Sequence, residues 1–214
     1  TCYAGSSPTY GRHRTFEEVK TMLDAVVASE GEPDIVQISG GEPTIHPQFF
    51  DILDYAKTLP IRHIMINTNG IRIADDKGFA ERLNDYMPGI EIYLQFDSFK
   101  PHVLTKLRGK DLSAKRQKAL EKLEKFNIHS TLVVTLERGQ NDDEIGKIID
   151  FALEYRCLRG VTFQPTQVAG RTDNFDPLKN KFTLTETRQG ILDQTDIFKE
   201  NDIIPVPCNP DALA

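Results

Sequence analysis

Two glycines and a carboxylate follow a short apolar run, where Ile35-Val36-Gln37-Ile38 stops at Ser39-Gly40-Gly41-Glu42-Pro43. A strand that meets Gly40 and Gly41 turns at once. With no Cβ on either residue, a ligand can lie directly on the main chain. Glu42 places one carboxylate at that turn and Pro43 stiffens it; the combination suits a positively charged group such as an amine. The alternative is a tight strand-to-helix turn with no ligand. Polar residues gather in the same way at Asn67-Thr68-Asn69-Gly70, Gln95-Phe96-Asp97-Ser98, Thr135-Leu136-Glu137 and Gln164-Pro165-Thr166-Gln167. Strand alternation puts Gln95 and Asp97 on one face, aimed at one small volume. Each has a plainer reading. Asn69-Gly70 is a common turn pair, Gln95 and Asp97 can cap a helix or bond loop amides, and Thr135 is a β-branched strand former. Arg108 and Arg171 fall in expected loops, where solvation is the usual fate. His46, His63 and His129 have no partners at metal-ligand spacing, which favours surface or satisfied-core roles. The charged stretch from Lys115 to Lys125 reads as the wetted face of a helix.

The elements that must hold these residues alternate. Thr15-Phe16-Glu17-Glu18 has the form of a capping box and opens a helix that ends near Gly31. Strands are expected at 35–38, 61–66, 90–96, 129–136 and 160–164, with helices at 49–57, 77–86, 114–126 and 142–155 between them. Cys157 is expected in the middle of a helix, where it could not replace a loop ligand without unwinding it. The unit recurs about every 28 residues at first, and short connections between alternating strands and helices imply parallel strands with crossover helices. In such sheets the ligand lies at the carboxyl ends of the strands, where the polar residues sit. The fold class is α/β, a partial (β/α)6 TIM-like barrel truncated at both ends, with an open doubly wound sheet as the other arrangement. Residues 165–181 read as a long excursion loop. One more helix follows at 184–199, with Thr183 or Thr185 as cap, and 203–207 reads as a last short strand. No linker divides residues 1–214.

Bulk properties narrow the chemistry. The chain of 214 residues is 39% apolar and carries a formal charge of −6, which argues against a nucleic-acid surface. No apolar run approaches a membrane span of ~18 residues. The three cysteines, Cys2, Cys157 and Cys208, form no Cys-x-x-Cys pair, and a reducing cytoplasm suits them best. The chain begins at Thr1 without an initiator methionine, as a piece of a longer protein would.

Cys2-Tyr3-Ala4, the parallel α/β rhythm, Ser39-Gly40-Gly41-Glu42-Pro43 and Asn67-Thr68-Asn69-Gly70 together resemble the radical S-adenosylmethionine (SAM) superfamily over nearly the whole chain. The resemblance implies a [4Fe-4S] cluster held by a C-x3-C-x2-C loop, with Cys2 as the last ligand and the other two upstream. It implies SAM as cofactor, its methionine amine on Gly40, Gly41, Glu42 and Pro43, and its ribose near Gln95 and Asp97, with Thr68, Asn69, Thr135 and Gln164 completing the contacts. Leu107-Arg108-Gly109 resembles the Arg-Gly that follows this strand in the family, and the 137–142 segment resembles the Lys-Gly-x-Asn-Asp turn of its molybdenum-cofactor-synthesis and peptide-modifying branches. Gln95-Phe96-Asp97, Phe163-Gln164-Pro165 and the segment 205–210 look like the subgroup of pterin methylases and tetraether-lipid synthases, in which Cys208 would bind a further cluster; a lone thiol near a terminus is the plain alternative. A basic residue that some relatives carry on the fourth strand, for the methionine carboxylate, is absent between His129 and Thr135.

The expected activity is reductive SAM cleavage to a 5′-deoxyadenosyl radical that activates a C–H bond of a small-molecule, lipid or peptide substrate, with an external electron donor. Residues 1–214 alone, retaining one of three cluster thiolates, are expected to bind no intact cluster and to be catalytically silent. Against this stand a non-redox α/β ligand-binding module and a cluster-free scaffold derived from such an enzyme. No Gly-x-Gly-x-x-Gly or Walker turn supports the first.

Overall fold

The computed structural model describes residues 12–166 and 176–204. Helix α1 (Phe16–Glu30) opens on the expected capping box: Thr15 Oγ1 accepts from Glu18 N at 3.2 Å, and the Glu18 carboxylate accepts from Thr15 N at 2.7 Å. Strand β1 (Ile35–Ile38) leads through a 3-10 turn, Pro43–Ile45, to α2 (Phe49–Thr58). Then come β2 (His63–Thr68), α3 (Ile71–Asp75), α4 (Phe79–Asn84), β3 (Ile90–Gln95), α5 (Pro101–Arg108), α6 (Ser113–Phe126) and β4 (Ser130–Leu136). The described chain closes with α7 (Ile145–Leu153), β5 (Leu158–Pro165), α8 (Pro177–Asn180) and α9 (Leu184–Gln194), the last capped by Thr183 with Glu186.

The strands form one parallel sheet in the order β1-β2-β3-β4-β5. Crossovers between parallel strands are right-handed, so a sheet laid down in sequence order carries every connecting helix on one side. A doubly wound sheet would need the order to reverse. The arrangement is therefore the barrel-type one, with five of the six expected strands among the described residues. Ile203 and Ile204 carry no strand, and 205–207 lie outside those residues.

Alternation sorts the side chains. Ile64, Ile66, Ile90, Ile92, Leu94, Leu132, Val134 and Leu136 point to the helical side, where they pack with Phe49, Leu53, Phe79, Leu83, Leu120 and Ile148 into one core. Burial of each such side chain contributes roughly 1.5–3 kcal/mol. The opposite face carries Met65, Asn67, Glu91, Tyr93, Gln95, Thr131 and Thr135. It is the polar lining of the half-barrel.

Several expectations change. The expected helix 77–86 is the shorter α4, preceded by α3, and the expected loop around Arg108 is helix α5. The helix expected at 142 begins as a 3-10 turn and becomes α-helical at Ile145. Cys157 sits not in that helix but in the turn before β5, fully buried. Burial, with the nearby Glu124, pushes its thiol up to about 12. Within the excursion loop, 177–180 is a helical turn and 167–175 lies outside the described residues.

Candidate cofactor site

The carboxyl ends of all five strands lie at one edge of the sheet, because the strands are parallel and in register. At the end of β1 the main chain is open, since a Cβ at Gly40 would meet no atom within 4 Å. Glu42 then straps two strands together. Its Oε1 accepts from Thr44 N at 3.2 Å, Thr44 Oγ1 at 2.6 Å and Thr68 Oγ1 at 2.7 Å, and its Oε2 accepts from Asn69 N at 2.7 Å. A carboxylate has about four lone-pair sites, two on each oxygen. Oε1 is saturated and Oε2 retains acceptor capacity, so the group fits an ammonium while its main tie is structural. Thr68 is fully buried, giving its proton to Glu42 and accepting from Gly70 N at 3.1 Å, which makes it a brace for Glu42. Asn69 Oδ1 accepts from Ile71 N at 2.9 Å. Gly70 between them has φ +77° and lies so close to Leu94 that a Cβ would stand 2.7 Å from its Cδ1. Only glycine meets both conditions. A cavity of about 390 Å³ beside this turn is lined by Glu42, Ile45, Asn69 and Arg72 among others.

The ends of β3 and β4 are built around Asp97. The strand stops at Gln95, and Asp97 takes a left-handed φ of +64°, a region where Asp is tolerated better than most residues. Its carboxylate accepts from Arg108 Nε at 2.7 Å and Nη2 at 2.8 Å, from Arg116 Nη2 at 2.9 Å and from Thr135 N at 3.1 Å. Burial alone would push its pKa up; the bidentate bond from Arg108 and the charges of Arg108 and Arg116 outweigh that and hold the carboxyl below its ordinary range. Gln95 and Asp97 therefore do not share a free face. Gln95 reaches along the polar lining to Asn67 Oδ1 at 3.4 Å, and Asp97 is wholly inside.

Two further readings are corrected here. Arg108 closes helix α5 and grips Asp97, with Nη2 also 3.3 Å from Thr135 Oγ1, so it is no solvated loop residue. Arg116 belongs to the stretch expected to be wetted, yet it is only 2% exposed, and its Nε and Nη1 find no hydrogen-bond acceptor. Burial lowers its pKa more than Asp97 restores it, and a guanidinium still stays charged at neutral pH. Arg108, carried by α5, thus brings a guanidinium to the end of β4, within reach of Thr135. Asn141, which sequence reasoning passed over within its turn motif, is fully buried and locks this end. Its Nδ2 donates to Asp97 O and Thr135 O, both at 2.8 Å, and its Oδ1 accepts from Glu137 N at 3.0 Å. Gln164 at the end of β5 reaches Tyr93 OH at 3.4 Å.

The histidines hold structural places. His46 pairs with Arg14 O at 2.7 Å and Gln48 N at 3.0 Å, His63 with Glu91 at 3.0 Å, and His129 with Arg159 at 2.8 Å. Among the described residues no group of three or more His, Cys, Asp or Glu could hold a metal ion, and no helix is long and apolar enough to cross a membrane. Cys2 and Cys208 lie outside the described residues.

The chain is similar to known proteins. The chain is 34% identical over 199 residues to the 7,8-dihydro-6-hydroxymethylpterin dimethyltransferase of Methanocaldococcus jannaschii, covering 90% of this chain and 38% of that protein. It is 26% identical to the GTP 3′,8-cyclase of Actinobacillus succinogenes, covering 72% of this chain and 46% of that one. The chain thus spans less than half the length of these relatives. Among solved structures, native anSMEcpe with bound AdoMet and the Kp18Cys peptide superposes with a TM-score of 0.61 at 18% identity, over 90% of this chain and 54% of that one, a likeness of fold. The sequence profile of the radical SAM superfamily matches residues 1–152, and the chain belongs to that superfamily.

Proposed function

We propose that the enzyme built on this chain cleaves SAM reductively at a [4Fe-4S] cluster and uses the resulting radical on a small-molecule substrate. The observation that carries this reading is the strap at Gly40–Glu42, an open main chain beside a carboxylate with one oxygen still able to accept. Gly40, Gly41 and Glu42 Oε2 would hold the methionine ammonium, with Pro43 fixing the turn. Arg108 at Thr135, backed by Arg116 and Asp97, would hold the methionine carboxylate. What supports this is the place of Arg108, whose Nη2 lies 3.3 Å from Thr135 Oγ1 at the end of β4. Asn69, Gln95 and Gln164, at the ends of three strands, would orient the adenosine. Cys2 would be one thiolate ligand of the cluster.

When bound, the reduced cluster and SAM supply a 5′-deoxyadenosyl radical. The residues of this chain hold the reacting carbon in place, where a misplacement of about an ångström costs on the order of a hundredfold in rate. Likeness to the pterin dimethyltransferase supports methylation of a reduced pterin or a related small molecule, with a separate protein or small molecule donating electrons. Anaerobic reconstitution with iron and sulfide, then SAM and dithionite, tests the reading. Formation of 5′-deoxyadenosine is expected, and its absence from enzyme that holds a full cluster refutes the proposal.

A further inference from the structure

The polar lining of the sheet is arranged in tiers. Lowest, near the amino ends of the strands, Glu91 is tied to His63 at 3.0 Å and accepts the Thr131 hydroxyl, so its charge is engaged. Above, Gln95 stands in register with Val133, and Thr135 pairs with Gln164 one step higher again, towards the level proposed for the cofactor. Between them Asn67 on β2 stands in register with Tyr93 on β3. Residues two apart on a strand rise by roughly 6.7 Å, so this middle tier lies about one ring width below Gln95.

The middle tier is held from above by weak bonds. Gln95 Nε2 is 3.4 Å from Asn67 Oδ1, and Gln164 Nε2 is 3.4 Å from Tyr93 OH, both longer than the usual 2.7–3.2 Å of such bonds. Each leaves capacity unused. The Asn67 amide nitrogen has no acceptor among the described residues, and the Tyr93 hydroxyl accepts from Gln164 without donating to any of them. Tyr93 is nevertheless only 8% exposed, and a buried hydroxyl whose proton has no acceptor normally finds one. Met65, one step below Asn67 on the same face, adds a soft apolar surface. Among the described residues no charged side chain is bonded to Asn67, Tyr93 or Gln95; Asp97 is turned inward to its arginines, and Arg108 meets the lining higher up, at Thr135.

We propose that Asn67 and Tyr93 read the substrate, and that the class they take is a neutral planar nitrogen heterocycle presenting ring-nitrogen or carbonyl acceptors along one edge. Amides that donate and accept, a hydroxyl free to donate and a polarisable floor match such an edge. A phosphate or carboxylate would meet no cation in this tier. The inference rests on the function proposed above and assigns residues one layer below those given to the cofactor.

The test uses the complete enzyme, with its cluster reconstituted and SAM bound. The probes are 6-hydroxymethylpterin, followed by its own fluorescence, and GTP. Wild-type enzyme should bind the pterin. Tyr93→Phe and Asn67→Ala should each weaken it about tenfold, the loss of one hydrogen bond, while SAM affinity by calorimetry stays within about twofold. GTP should bind at least about tenfold more weakly than the pterin. Asn67→Asp keeps the shape but replaces the donor, and should match Asn67→Ala if that variant folds poorly. Wild-type pterin affinity in Tyr93→Phe and both Asn67 variants overturns the assignment. Equal loss of SAM and pterin binding overturns it too, since these residues would then serve the cofactor. Tighter binding of GTP overturns the neutral class. Failure to form 5′-deoxyadenosine would sink the radical reading, whereas the direct binding measurements decide the role of Asn67 and Tyr93 separately.

Discussion

Replacing Asp97 with Asn removes one charge from the most enclosed ionic cluster at the strand ends while changing almost nothing else. Asn tolerates the left-handed backbone that Asp97 adopts, so the substitution isolates the charge. Asp97 is 0% exposed and Arg116 2%, and four hydrogen bonds between 2.7 and 3.1 Å converge on the carboxylate. Removing one partner of a buried pair costs about 3–5 kcal/mol, because the other charge stays desolvated. For a domain of this size that corresponds to roughly 6–20 °C in melting temperature. Arg116→Met should behave differently. It discards two nitrogens that have no acceptor and leaves Asp97 with Arg108 and Thr135 N, so a loss below about 2 kcal/mol is expected. The pH dependence follows from the depressed carboxyl. Its stabilisation is complete above the unfolded value, near 4, and is lost as pH falls through the lower folded value. The gap between wild type and Asp97→Asn should stay constant from neutral pH to about pH 5 and narrow below about pH 4. Urea unfolding followed by circular dichroism measures all three. A loss below about 1 kcal/mol for Asp97→Asn, or a larger loss for Arg116→Met, would refute the cluster as described.

Glu42→Gln should weaken SAM binding by roughly 1.5–3 kcal/mol, a charge-assisted bond, and also lower stability, since the strap to Thr68 and Asn69 loses its charge. Calorimetric titration reads the first effect, and unchanged affinity would remove Glu42 from the cofactor site. Asn141→Ala leaves three backbone groups without their partner and should cost about 3 kcal/mol by denaturant unfolding at roughly 1 kcal/mol per bond; a neutral result would mean that the turn is held by other contacts. Cys157, buried and with its thiol pushed up to about 12, should resist iodoacetamide at pH 8 in native protein and react fully in urea. Mass spectrometry of the labelled protein checks this, and rapid native labelling would contradict the packing.

The strands and their order were legible because apolar runs such as Ile35–Ile38 and Ile90–Gln95 end in abrupt polar turns, and that contrast depends on local sequence alone. The ionic centre was not. Helix α5 follows the dense loop signal of Asp97 to Lys100, yet it carried marks of its own: Pro101 at its first position, Val103, Leu104 and Leu107 at helical spacing, and Gly109 as cap. Arg116 was hidden by its neighbours. In a run of lysines and glutamates the average is wet, but Arg116, Ala119, Leu120 and Leu123 share one helical face, and all four are buried. The partner that makes such burial tolerable lies 19 residues away, beyond another helix, and no local pattern announces it. Asp97 misled for the same reason. Alternation placed it beside Gln95, and the left-handed turn that swings it inward is a tertiary outcome.

Because strand order follows chain order, each unit meets chiefly the one before it and the one after, as in a stack of repeats. Strain or loosening at one strand is then felt first by its neighbours, and distant units are coupled only through the ladder between them. Such an assembly can grow from any adjacent pair and lengthen at an edge; among the described residues β1 and β5 are each paired on one side. The number of strands in the finished barrel is thus a property added unit by unit, and the pairings already present need not change to admit another.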